Sequence, residues 1–457
     1  MTKPSDMNAS PEKQYVDLFR QARTMLARHS SPVMDAVRDE AFSFFEAKGF
    51  PSPKDEAYKY TDLRPKFAID YGMNLNRLDV KVDPYKTFRC DVPNLSTSLF
   101  FVVNDTFCAR HEHLTALPAG VEIMSLREAT AKHPSLLAAH YDKLAGQSQD
   151  SLTAFNTAFA EDGVFLYVPD NVVVEKPIQL INVMSANVDM MANRRMLIII
   201  GENAQAKFLV CDHADGEVNY LSTQVVEIFV GRNAVFDYYE LEETTAANTR
   251  VANTYVRQEA SSNVLVNGVT LTNGTTRNHV TVMLEGENAE IMLGGIATVD
   301  RRQHIDNNTL IDHRVPRCTS NELFKYVLDD EAVGAFAGKV RVNPGAQKTS
   351  SQQTNTNLCL TKQARMYAQP QLEIYADDVK CSHGATVGQL DENAVFYMRQ
   401  RGLSKKEAMN LLMFAFVNEV VDNIRMDALK DRLHLLVEKR FRGELDRCGG
   451  CTKCKYE

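Results

Sequence analysis

Cys381 and His383 lie two residues apart in the segment Asp377-Asp-Val-Lys-Cys-Ser-His-Gly384. In an extended chain, residues i and i+2 project from one face. A thiolate and an imidazole so placed can share a soft or borderline metal ion such as iron or zinc. Two ligands do not fill a tetrahedral site, so other donors must come from elsewhere. Lys380 could lower the thiol pKa, although in a strand it faces the other way. The plainer alternative is a buried cysteine beside a hydrogen-bonded histidine. A second set is Cys448-Gly-Gly-Cys451-Thr-Lys-Cys454, two overlapping Cys-x-x-Cys units whose glycines permit tight wrapping around one ion or cluster. It lacks a fourth ligand and the proline that follows bacterial ferredoxin runs. A redox dithiol and a chemically idle tail are the competing readings. His304-Ile-Asp306 with Asp312-His313 pairs histidine and carboxylate, but reads as polar residues at a corner of the chain. His111-Glu-His113 and Asp329-Asp330-Glu331 read as a solvated loop and a solvated turn.

The composition limits what this chemistry can serve. Lys plus Arg is 51 and Asp plus Glu is 59, a formal charge of −8, which argues against a general phosphate-backbone binder. No apolar run approaches the roughly 18 residues needed to span a bilayer, and the first ten residues lack the apolar stretch of a secretory signal. Nine cysteines in a long chain fit poorly with a disulfide scaffold. Cys90, Cys108, Cys211, Cys318 and Cys359 are scattered and read as packing residues. There is no Gly-x-x-x-x-Gly-Lys-Ser/Thr phosphate loop, no Gly-x-Gly-x-x-Gly after a strand and no Gly-x-Ser-x-Gly elbow. The expectation is a cytoplasmic protein that binds neither nucleic acid nor membrane and hydrolyses no nucleotide itself.

The elements that must position these residues fall into three textures. Val16, Phe19, Ala22 and Leu26 follow helical spacing after Pro11, and a second helix runs from Pro32 to Lys48 before Gly49. Residues 54–100 show no clear pattern, and helices are predicted over 125–144 and 151–159. From Gly163 short β-rich runs take over, among them Val164–Val168, Val172–Val174, Ile178–Val183, Met196–Ile200 and Val225–Val230. Within them a tetrapeptide recurs: Gly201-Glu-Asn-Ala204, Gly231-Arg-Asn-Ala234 and Gly286-Glu-Asn-Ala289, at intervals of 30 and 55 residues. A turn repeated at this period marks a solenoid, because Gly and Asn tolerate left-handed geometry at equivalent corners. A β-sandwich with similar turns is the alternative. Helices return after Gly388: Asp391 caps one to Arg401, Ser404-Lys-Lys-Glu407 is a capping box, and Leu429, Leu433, Leu436 and Val437 mark a third. The chain therefore divides into a mainly helical region 1–160, a β core 161–388, a helical region 389–441 and a cysteine-containing tail 442–457.

Within that frame, residues 306–420 carry a run of specific matches: Asp312-His313, Pro316, Ser320, Lys325, Phe336, Gly338, Ala346-Gln-Lys-Thr349 and Gln353. The strongest block is Pro370-Gln-Leu-Glu-Ile-Tyr-Ala-Asp-Asp-Val-Lys-Cys-Ser-His-Gly-Ala-Thr-Val-Gly388. These resemble the SufB/SufD family of iron–sulfur cluster assembly proteins. Asp55-Glu-Ala-Tyr-Lys-Tyr-Thr-Asp-Leu63 resembles the N-terminal segment of its SufD branch, with Tyr58 where the family usually has Trp. The His304–His313 block also looks like that branch, and no counterpart of the SufB cysteine-bearing sulfur-acceptor segment is visible.

The resemblance implies a right-handed parallel β-helix flanked by N- and C-terminal helical regions, and a non-catalytic scaffold. It implies pairing with SufB through the β-helix ends and binding of the ATPase SufC, which supplies ATP hydrolysis, through residues 389–441. A homodimer of the isolated chain stays open. It further implies that His383, with Cys381 beside it, contributes to a nascent cluster site shared with the partner, so no cofactor is held tightly by the chain alone. The Cys448/Cys451/Cys454 set has no match in that pattern. A SufB-like member that carries the cluster on its own cysteines, and a β-helix enzyme, are the alternatives.

Overall fold

The structure is a computed structural model that describes residues 10–77, 83–87, 97–216 and 218–445. Helices Pro11–His29 and Pro32–Lys48 each open on a proline, whose missing N–H is no loss in a first turn, and Gly49 ends the second at φ 68°. The helix expected over 125–144 is instead two, Leu126–Lys132 and Pro134–His140. The ring of Pro134 explains the break: a proline drives the preceding residue out of the helical region, and His133 sits at φ −130°, ψ 56°. Ser125 and Glu128 close a reciprocal capping box ahead of the first helix.

Between residues 164 and 388 the chain winds as a parallel β-solenoid of about eight turns. Successive strands alternate between a ten-stranded and a nine-stranded sheet, so each turn adds one strand to each. Ser98–Val103, which begins at the end of the stretch 54–100 that shows no clear pattern, joins the larger sheet in parallel with Ile178–Ser185. Of the expected strand Val172–Val174, only an isolated bridge from Val173 to Gln205 is present.

The repeated tetrapeptide has a separate physical reason at each position. Asn203, Asn233 and Asn288 occupy the left-handed region at φ 56°, 56° and 59°. Asn233 donates to the Asn203 side chain at 3.1 Å, and Asn203 to that of Asn171 at 2.9 Å, so the corners form a ladder. The glycines are not left-handed. They are needed because the adjacent coil runs too close: a Cβ on Gly286 would lie 1.9 Å from the backbone nitrogen of Ala260. Ala204, Ala234 and Ala289 fill the inside of each corner and are completely buried.

Helical layers cover both outer faces. Helices Pro11–His29, Pro32–Lys48 and Ser151–Phe159 build an aromatic cluster (Tyr15, Phe19, Phe42, Phe45, Phe155, Phe159) that packs on Met191, Leu221 and Val251 of the nine-stranded sheet. Helices Lys405–Asp422 and Asp427–Arg442 lay Met413, Val417, Leu429 and Leu433 on Leu265, Ile296, Leu323 and Val327 of the ten-stranded sheet. The first of these has the expected box, with Ser404 and Glu407 satisfying each other's backbone N–H groups.

Candidate functional site

Cys381 and His383 lie on Lys380–Gly388, which is the outermost strand of the ten-stranded sheet and among the described residues pairs only with Ser350–Cys359. In register, Cys381 stands over Ser351 and His383 over Gln353. Ser351, Gln353, Asn355 and Asn357 point into the solenoid and are buried. The next strand continues those inward rows, but among the described residues no further coil closes over it, so His383 is exposed and Cys381 half-buried. The two residues therefore share a face, at the open C-terminal end of the solenoid. Burial pushes the Cys381 thiol up, with a backbone N–H from Ser351 partly opposing it. Lys380 is on the other face of the strand and gives the thiol no help.

A polar column descends below each residue. Under Cys381, Ser320 donates its hydroxyl proton to Ser351 Oγ at 2.8 Å and meets His313 Nε2 at 2.9 Å. His313 is completely buried, and desolvation pushes it down to about 4, which leaves it neutral near pH 7. Under His383, Gln353 donates from Nε2 to Glu322 Oε2 at 2.5 Å, and Thr309 donates to Glu322 Oε1 at 2.5 Å. Glu322 is completely buried and makes no ion pair among the described residues; desolvation pushes its carboxyl up to about 7. Local spacing does not connect Ser351 or Glu322 to the site. The signal was the coil length: 383 − 353 = 30 and 353 − 322 = 31, matching the 30-residue interval of the corner motif.

The open end is also apolar, with Ile374, Tyr375 and Val387 exposed on or beside the two outermost strands, and Phe396, on the helix Glu392–Gln400 that follows, is 61% exposed. Strand Arg365–Ile374 is likewise the outermost of the nine-stranded sheet. Two strand edges without a partner among the described residues, beside exposed aromatic and aliphatic groups, are features of the kind that mark interaction surfaces.

The other candidates separate. His304 and Asp306 face outward, where both meet the Thr61 hydroxyl, at 2.8 and 2.6 Å, under the N-terminal segment. Asp312 also faces outward, to Arg314 and Asn343, while His313 faces inward. Their role is docking and packing rather than ligation. His113 stacks on Tyr85 with ring centroids 5.2 Å apart. Among the described residues no three His, Cys, Asp or Glu side chains come together as a metal site. Cys448, Cys451, Cys454 and Cys90 lie outside the described residues. Cys211 and Cys318 are buried in the cores, with Cys108 and Cys359 packed against them.

Comparison with known proteins adds an independent line. Residues 182–416 match the family model described as the SUF system FeS cluster assembly, SufBD core domain, and residues 9–180 match the SufBD protein N-terminal region. The iron–sulfur cluster assembly SufBD family protein slr0076 of Synechocystis is 28% identical over 92% of this chain and 93% of its own. The SufD protein of Bacillus subtilis is 25% identical over 95% of this chain and 98% of its own. That of Escherichia coli is 36% identical over a shorter stretch, 36% of this chain and 40% of its own. No helix among the described residues is long and apolar enough to cross a membrane.

Proposed function

Since this chain belongs to the SufB/SufD family of iron–sulfur cluster assembly proteins, we propose that it is the SufD-type scaffold of a SufB–SufC–SufD complex. The single observation that carries this reading is the incomplete pair at the open solenoid end. Cys381 and His383 share a face, the surrounding rim is apolar, and the outer edges of the two end strands have no partner among the described residues. Two donors cannot hold a cluster, so the rest would be supplied by the partner seated on that end, a SufB-type chain. The cluster is then cargo built at the interface. What this chain contributes is an imidazole, a thiol and a rigid edge that fixes their spacing.

The C-terminal hairpin would receive the ATPase. Leu411, Phe414 and Phe441 line a cleft of about 350 Å³ on it, and Leu411 is 49% exposed. ATP-driven movement of that subunit would reach the open end through the sheet on which the hairpin is docked. The chain itself would act as a non-catalytic scaffold in the cytoplasm.

Co-expression with SufB- and SufC-type chains tests this. The expected result is a stable complex, and loss of cluster formation in it for His383→Ala with the complex intact. Cluster formation at the normal rate in that variant would remove the assigned role of His383. Failure to co-purify would remove the scaffold reading.

A further inference from the structure

Gln353 is 1% exposed, and its side chain has two functional ends. The amide N–H is committed to Glu322 at 2.5 Å, whereas the carbonyl oxygen Oε1 is buried with no hydrogen-bond partner among the described residues. A buried acceptor left without a donor is costly, and in a native structure it calls for a reason. The residue next above Gln353 in the same inward row is His383. Neighbouring strands are about 4.8 Å apart, so the two side chains are within reach of each other. On the facing strand, Met366 and Leu372 turn toward the core, and neither offers an oxygen acceptor from its side chain.

We propose that Gln353, braced by Glu322, is the positioning residue for His383: its free carbonyl oxygen accepts the N–H of the ring nitrogen that does not face the metal. This rests on His383 being a cluster-site ligand. Metal-ligating histidines characteristically donate their second N–H to a carbonyl or carboxylate, which fixes the tautomer and aims the lone pair. Here the brace is built in three steps. Thr309 and Gln353 saturate Glu322, Glu322 holds the amide nitrogen, and the carbonyl end is thereby turned away from Glu322. The opposite sheet leaves room for the amide, since a Cβ on Gly338 would stand 2.3 Å from Gln353 Nε2. The buried carboxyl of Glu322, which makes no ion pair among the described residues, thus gains a purpose beyond packing.

The test has one readout on the ring and one on the complex. In the full-length chain labelled with ¹⁵N-histidine, His383→Ala assigns the His383 ring signals. A single neutral tautomer is expected in the unmodified chain. Gln353→Leu and Glu322→Leu should shift the signals to those of an exchanging mixture. Glu322→Gln should retain the single tautomer, because its amide oxygen still accepts from Gln353. Should Gln353→Leu fail to fold by circular dichroism, Gly338→Ala displaces the same amide from the opposite sheet. In the complex, Gln353→Leu should slow cluster formation by roughly 10- to 100-fold. A tautomer mixture in the unmodified chain, or ring signals unmoved by Gln353→Leu, overturns the positioning role. A tautomer held by Gln353 alongside normal cluster formation in His383→Ala leaves the positioning intact and removes the ligand reading instead.

Discussion

Lys325→Met should loosen the C-terminal hairpin without unfolding the solenoid. Lys325 projects from strand Thr319–Leu328 to helix Lys405–Asp422 with only 8% of its side chain exposed. Its ammonium donates to the Phe416 carbonyl at 2.9 Å, lies 4.7 Å from the centre of the Phe416 ring and pairs with Glu419. A charge-assisted hydrogen bond contributes about 1.5–3 kcal/mol, and a partly exposed cation–π contact about 0.5–1 kcal/mol. Glu419 is 64% exposed, so solvent screening holds that pair to below about 1 kcal/mol. The Phe416 carbonyl lies inside the helix and keeps its helical partner, which places the hydrogen-bond loss at the low end. Methionine retains the apolar stem. The net cost is therefore about 2–3 kcal/mol, or a roughly 30- to 150-fold rise in the opening equilibrium of the hairpin. Amide hydrogen exchange reads this directly. Protection in Lys405–Asp422 should fall by that factor while Pro11–His29, on the opposite sheet, is unchanged. Unchanged protection in the hairpin, or an equal fall in both helices, would refute a local anchor at Lys325.

Stability should depend on pH through the buried carboxyls. Burial pushes Glu322 up from 4.5 to about 7, so the folded state holds a proton that the unfolded state has lost. Its contribution is then fully present below about pH 4.5 and lost as pH rises through about 7, on the order of 3 kcal/mol. Glu242, also pushed up to about 7, acts with the same sign, whereas His313, pushed down to about 4, opposes it by losing stability as pH falls. The difference between wild type and Glu322→Gln in urea isolates the first group: the gap should shift in favour of the variant from pH 4.5 to 7.5, and a constant gap would show that Glu322 does not titrate in that window. At the corners, Asn233→Ala should cost about 1–2 kcal/mol because alanine resists φ 56°. Asn233→Gly should cost less, and equal losses would assign the effect to the side-chain ladder instead of the backbone.

Much of the molecule is legible in the order of its residues. Proline starts, a glycine stop and capping boxes mark the helices at both ends, and the Gly-x-Asn-Ala corners reveal the coil. These signals are local, carried by backbone geometry within a few residues. The exceptions have equally local causes. Pro134 divides a helix that apolar spacing alone would run through, and Ser98–Val103 is recognisable as a strand only once Ile178–Ser185 lies beside it. Even at the corners, periodicity locates the glycines but not their purpose, which comes from the neighbouring coil's backbone.

The site divides in the same way. Cys381 and His383 are two residues apart, so the alternation of a strand suffices to place them on one face, and the sequence alone determines that they can act together. It does not determine that His304 and Asp312-His313 are diverted to docking and packing, because which face of a strand is covered depends on what the rest of the chain lays over it. Nor does it bring Gln353 and Glu322 beneath His383, a stacking across coils some 30 residues apart in the chain. Contacts at that separation arise from the register of the solenoid, so only the tertiary structure decides what stands under the open end and what is left exposed upon it.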